Sequence, residues 1–316
     1  MDNLENLTNV TSARRELLRY GAGALLSAVL GGAKAASAQA TALTDIDFWN
    51  LALNVEYLQA QFYSLAALGV TIDVATGPTV PINSGTGSAA GTVTVRPSPK
   101  VSFSDTHLAA YATQFAKEQR RHIVFLRNIL AASTVAMPNL DLLNSFNTFA
   151  SAAGFASAFD PFANDQNFLL GAFLLEDLSV TMYQMIGARM TLAYDSSQTW
   201  GLLAAEAYHA GAIRTLINNM DIANPGLGIA SQATALSAAR SKLDGSSTST
   251  PDDVGLTTKM VALNSGAASY QAFTVAPGDS NSLAFARSTT QLLSILYAGG
   301  SGKGGFFPAG LNGTIK

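Results

Sequence analysis

Four long stretches of the chain repeat apolar residues at helical spacing, and each is bounded by residues that start and stop helices. The first runs from Thr44 to about Leu68, with Thr44 or Asp45 as N-cap and Gly69 as the stop. The second begins near Ser104-Asp105 and continues to about Ala132. The third spans about Asn164 to Met190, after the breaker Asp160-Pro161, and the fourth runs from Ser197 to Met220 with Asn224-Pro225-Gly226 beyond it. At 1.5 Å per residue each is roughly 35 to 43 Å long. Matched lengths let every helix cover the full height of a shared core, so the pattern predicts an all-α four-helix bundle.

The segments between have another character. Val70 to Phe103 is rich in Gly, Thr, Val and Pro, and Val93-Thr94-Val95 alternates, which predicts a small β-hairpin insertion at 70–103. A crossover joins the second helix to the third and contains an amphipathic piece from Leu140 to Ala152. Beyond the bundle, Ser231 to Leu243 and Ser282 to Tyr297 read as two further helices, separated by the polar loop Gly245 to Asp253. The Gly-rich ending, Gly299 to Lys316, carries Phe306-Phe307-Pro308. Adjacent aromatics in such a tail dock on something, either this bundle or a neighbouring copy, so a homo-oligomer formed through the tail is one expectation. The chain thus divides into a leader at 1–40, a bundle at 41–222, and a helical C-terminal extension with its tail at 223–316.

Composition narrows the chemistry. The 316 residues are 48% hydrophobic and 12% charged, enough for one substantial core. A net charge of −3 leaves no basic footprint for nucleic acid. With no cysteine, thiol nucleophiles and thiolate metal sites are excluded, and any metal must rest on carboxylate and imidazole. The leader contains Ala13-Arg14-Arg15-Glu16-Leu17-Leu18-Arg19, then the apolar stretch Tyr20 to Gly32, then Ala36-Ser37-Ala38. This is the pattern of a twin-arginine export signal cleaved after Ala38 or Ala40, which predicts a periplasmic or secreted protein. The apolar stretch is short for a bilayer, so no membrane span is expected in the mature protein.

Glutamate usage points to a site. After residue 40 the only glutamates are Glu56, Glu118, Glu176 and Glu206, one in the middle of each long helix. Solvated helical faces use Glu freely because it forms helices well. A chain that places it once per helix, in surroundings such as Leu53-Asn54-Val55 and Leu174-Leu175, is burying carboxylates, which is costly unless they are paired or bind metal. His209 lies three residues after Glu206, on one helix face. His122 lies four after Glu118 and three after Gln119. A Glu on each of two helices with Glu-x-x-His on the other two is the ligand plan of di-iron and di-manganese carboxylate bundles. The two halves also echo each other: Tyr63 follows Glu56, and Tyr183 follows Glu176, at the same offset. Arg127 follows His122, and Arg214 follows His209, likewise.

The segment Asn50-Leu51-Ala52-Leu53-Asn54-Val55-Glu56-Tyr57-Leu58, followed by Phe62-Tyr63, resembles the first helix of the ferritin-like family of desiccation-related proteins. Further similarity lies in His122-Ile123-Val124-Phe125-Leu126-Arg127, in Leu175-Glu176-Asp177 with Val180-Thr181-Met182-Tyr183, and in Glu206-Ala207-Tyr208-His209-Ala210. Leu283-Ala284-Phe285-Ala286-Arg287 and Gly305-Phe306-Phe307-Pro308 resemble that family's C-terminal region. The resemblance implies a ferritin-like bundle, often exported and linked by name to desiccation or stress. The family pattern has Glu three residues before the second-helix His, where this chain has Gln119. Glu118 is about 100° around the helix from that position and would reach the axis only through a π-bulge or a helix rotation; otherwise a single occupied metal site at Glu176, Glu206 and His209, an unsymmetrical pair, or an empty polar core is expected.

Two functions remain open at this stage. In one, Glu56, His122, Glu176, Glu206 and His209 bind one or two iron or manganese ions for redox chemistry, Fe(II) oxidation or peroxide removal. In the other, the protein is a non-catalytic stress protein of the envelope with no metal, and Gln119 marks a degenerate site. Each candidate residue also has a plainer reading. Glu206 and His209 can form a hydrogen-bonded polar pair, while Glu56 and Glu176 can be salt-bridged to Arg127 or Arg214. Tyr63 and Tyr183 can be core aromatics with bonded hydroxyls. Arg120-Arg121 reads as a solvated face, His107 as an exposed helix-start residue, and Glu118 as surface or ligand.

Overall fold

Helix α1, Asp45–Leu68, starts on a capping box in which Thr44 and Asp47 each satisfy the other's backbone N–H, two of the donors a helix start leaves unpaired. It stops at Gly69, whose φ of 78° suits a residue without Cβ and whose N–H returns to Ser64 and Leu65. The computed structural model describes residues 42–77, 79–155, 158–246, 252–256, 259–262 and 269–316. The expected export signal at 1–40 lies outside these residues.

Almost every α1 residue is buried, the mark of a core helix. The same holds for α4, Asp165–Gly187, capped by Asn164. It is long and apolar enough to cross a bilayer, yet 94% of that stretch is buried within the protein. Helix α2, Thr106–Leu130, is capped by Asp105 and buries one face, from Leu108 to Leu130. Helix α5, Ala193–Ala223, also buries one face and is longer at both ends than the pattern predicts. α1 packs along α2, α4 along α5, α1 against α4, and α2 against α5, which closes the four helices around one core. The expected all-α bundle with a crossover is present.

Among the described residues of 70–103, the expected hairpin is not formed. Val93–Thr94 is strand β1 and pairs in parallel with β2, Leu140–Asp141, in the crossover. Two glycines explain the change of partner. A Cβ on Gly85 or Gly91 would lie 2.2 and 2.4 Å from the backbone of residues 131 and 139, so the two segments run backbone to backbone. Their hydrogen bonds, Gly91 N–H to Met137 O and Leu140 N–H to Thr92 O, go to each other. The amphipathic piece shortens accordingly to α3, Ser145–Ala152.

In the extension, α6 spans Ile229–Asp244, and β3 (Lys259–Ala262) pairs antiparallel with β4 (Ser269–Ala272), a strand pair the sequence reading missed. Helix α7 is Thr289–Leu296, beginning on the Ser288/Gln291 capping box, shorter than the expected Ser282–Tyr297. The preceding residues stay non-helical because Arg287 is drawn into a buried ion-pair network. Asp177 on α4 receives Arg214 and Arg240 at 2.7 and 2.8 Å; Asp253 receives Arg240 and Arg287 at 2.7 Å; and Asp244 receives Arg287 at 2.7 Å. The tail docks on this chain's own bundle: Phe306 lies against Phe146 and Phe149 at 5.0 and 5.3 Å, and Asn312 bonds Asn54. Of the two docking places expected for these aromatics, the structure shows this bundle.

Candidate metal centre

The four-helix arrangement brings Glu56 from α1, His122 from α2, Glu176 from α4, and Glu206 and His209 from α5 to one level of the core. The three glutamates have no exposed surface, His209 is buried, and His122 is nearly so. They form two groups, Glu56–His122–Glu206 and Glu176–Glu206–His209, in which potential ligand atoms lie within 4.8 Å of one another and Glu206 is common to both. Each imidazole turns Nδ1 inward. His122 Nδ1 is 3.1 Å from Glu206 Oε1 and 3.4 Å from Glu56 Oε2, and His209 Nδ1 is 3.6 Å from Glu176 Oε2 and 4.0 Å from Glu206 Oε1.

Neighbouring polar groups fix these side chains. Gln59 Nε2 donates to Glu206 Oε2 at 3.1 Å and is itself positioned by Ser179. Gln119 points inward, fully buried, and its Nε2 donates to Glu206 Oε1 at 3.1 Å. Tyr183 donates to Glu56. Tyr63 faces Glu176, but its buried hydroxyl has no hydrogen-bond partner. Glu118 does not reach the axis. It stands outside His209 and accepts from Nε2 at 2.8 Å, with a third of its side chain exposed.

Charge shapes the protonation of the cluster. Burial raises the Glu56 and Glu176 carboxyls, and the nearby Glu206 charge adds to it; Glu176 reaches about 8. Burial would raise Glu206 too, but the close approach of His122 and both imidazole charges outweigh it and hold the group at about 2. Burial disfavours charged imidazoles, yet Glu56 and Glu206 lift His122 to about 11, and Glu176 with Glu206 lifts His209 to about 9.

The plainer readings divide. Neither Arg127 nor Arg214 bonds a site glutamate; they bond Tyr57 and Asp177, the residues that follow Glu56 and Glu176. The internal echo is thus structural, with matched arginines holding matched positions. Arg120 is not a solvated residue: it is buried, donating to Ala116 O and Thr76 O, while Arg121 is exposed. His107 is exposed at the start of α2. Sequence reasoning missed Gln59, although its place three residues after Glu56 puts it on the same helix face.

The bundle and its inward glutamates and histidines define the class, and the model of the ferritin-like domain family matches residues 44–219: the chain belongs to that family. The resemblance to desiccation-related ferritin-like proteins is borne out by a particular relative. The chain is similar to Desiccation-related protein PCC13-62 of Craterostigma plantagineum, 29% identical over 262 residues that cover 79% of this chain and 76% of that protein. No solved structure matches the chain significantly.

Proposed function

We propose that this stress-related ferritin-like protein is exported by the twin-arginine route and holds iron or manganese through Glu56, His122, Glu176, Glu206 and His209. One observation carries the metal reading. Among the described residues, nine buried side-chain N and O atoms have no hydrogen-bond partner, and seven of them are in this cluster. They include both oxygens of Glu176, Oε2 of Glu56, and Nδ1 of both histidines. Each unpaired buried polar atom costs about 1–3 kcal/mol, so such a concentration in one place fits a cation bound among them. Oxygen with imidazole nitrogen, and no sulfur, suits iron and manganese.

When bound, such an ion would supply one-electron redox chemistry, which supports oxidation of Fe(II) or removal of peroxide as the activity. The chain's own contribution is orientation and exclusion of bulk water. Gln59 and Gln119 hold Glu206 between the two groups, and Tyr183 fixes Glu56. Glu118 accepts a hydrogen bond from His209 Nε2–H, and Nδ1 faces the carboxylates. Glu118 and His122, both on α2, are the partly exposed members of the cluster.

A second reading, a non-catalytic envelope stress protein, is favoured by one observation: an amide, Gln119, points into the cluster where the family resemblance implies a carboxylate. Elemental analysis of protein purified from its native compartment separates the two. Iron or manganese lost in Glu206→Ala and His209→Ala, with a chelator lowering Tm, is expected. Protein without metal after iron-replete growth, and indifferent to chelator, would leave the non-catalytic reading.

A further inference from the structure

The two halves of the centre are not equivalent. The offsets that relate Glu56 to Glu176, Tyr63 to Tyr183, His122 to His209 and Arg127 to Arg214 also relate Gln119 to Glu206 and Glu118 to Ala205. Both of these last pairs break the symmetry, and the second does so in favour of His209. Glu206 can give a carboxylate to either half, whereas Gln119 offers a neutral amide whose nitrogen is committed to Glu206. Behind His209 stands Glu118, bonded to Nε2; the residue related to Glu118 by the same offset, Ala205, has no side-chain acceptor to offer His122. Glu56 has one oxygen taken by Tyr183, while both oxygens of Glu176 are unpartnered.

We propose that the centre binds one divalent cation tightly, in the half formed by Glu176, Glu206 and His209, and that Gln119 is the residue that prevents a second. The inference rests on the metal reading above. Charge gives the reason. Two divalent ions would bring four positive charges against the three carboxylates of Glu56, Glu176 and Glu206, leaving uncompensated charge in a buried site, which is costly. One ion leaves Glu56 to its contacts with Tyr183 and His122. Glu118 acts as a positioning residue, holding the imidazole of His209 in the tautomer and orientation a ligand needs.

Titration of the purified full chain with Mn(II) under anaerobic conditions, read by calorimetry and electron paramagnetic resonance, tests this. One ion per chain is expected for the natural sequence, and two with an exchange-coupled signal for Gln119→Glu. Gln119→Met is expected to keep the single ion, and Glu118→Gln to weaken it about ten- to a hundredfold. Should Gln119→Glu fail to fold, Ala205→Glu offers His122 the missing acceptor and is expected to add a second, weaker ion. Two ions of similar affinity in the natural sequence would overturn the inference while leaving the metal reading intact. So would a single ion in both Gln119→Glu and Ala205→Glu, or a lost ion in Gln119→Met. No binding in any variant would overturn both.

Discussion

At the scale of single residues, Glu176, His209 and His122 govern how stability of the chelator-treated protein follows pH, His122 acting as His209 does but up to about 11. Burial, with the Glu206 charge added, raises the Glu176 carboxyl from 4.5 to about 8, so between those values the folded state holds a proton the unfolded chain releases. Stability therefore falls as pH rises through that window. His209, held at about 9 by Glu176 and Glu206 against the effect of burial, acts in the same direction: its contribution is complete below 6.5 and lost as pH rises through 9. Glu206, at about 2, contributes above 4.5 and loses that contribution only as pH falls through its own value. Urea midpoints are expected to drop from pH 6 to pH 9, and less steeply in Glu176→Gln. A flat or rising profile would contradict the electrostatics. Glu56, Glu176 and Glu206 were legible in the sequence because glutamate is scarce outside the site, and the histidines because they sit at helical spacing from other candidates. Gln59 and Arg120 were not, because an amide or a guanidinium shows its burial only through partners from distant segments, Glu206 and Thr76 O.

At the scale of elements, caps set the limits of the bundle helices. Gly69 is the clearest case, since its positive φ excludes a side chain and an added Cβ would lie 3.1 Å from Lys100 Cβ. Gly69→Ala is expected to destabilise the fold by about 1 kcal/mol or more, measured by denaturant unfolding. No loss would show that the α1 end relaxes without strain. The helices were readable because capping residues and apolar spacing are local. The strands were less so. Val93–Thr94 carries the alternation of a strand but nothing that names Leu140–Asp141 as its partner, and that pairing depends on close backbone approach at Gly85 and Gly91. The start of α7 was misplaced for a related reason: Arg287 fits a helical pattern, but its bonds to Asp244 and Asp253 hold it outside one.

At the scale of the whole molecule, the extension is fastened to the bundle beside the centre. Asp177 follows Glu176 on α4 and receives Arg214 of α5 and Arg240 of α6, both fully buried. Asp177→Ala would strip both arginines of a shared buried partner and is expected to cost about 3–5 kcal/mol. A loss below about 1 kcal/mol, the range of exposed pairs, would show that the network is not a fastening. The tail was recognisable as a docking element from its paired aromatics, though only the packing of Phe306 on Phe146 and Phe149 shows that the dock is this bundle. The central claim, a cation held among buried glutamates and histidines, is tested most directly by anomalous diffraction at the manganese edge, from crystals grown with Mn(II). The expected result is a peak within ligand distance of Glu176, Glu206 and His209 Nδ1. Peaks confined to the molecular surface, with these side chains bonded only to one another, would contradict it.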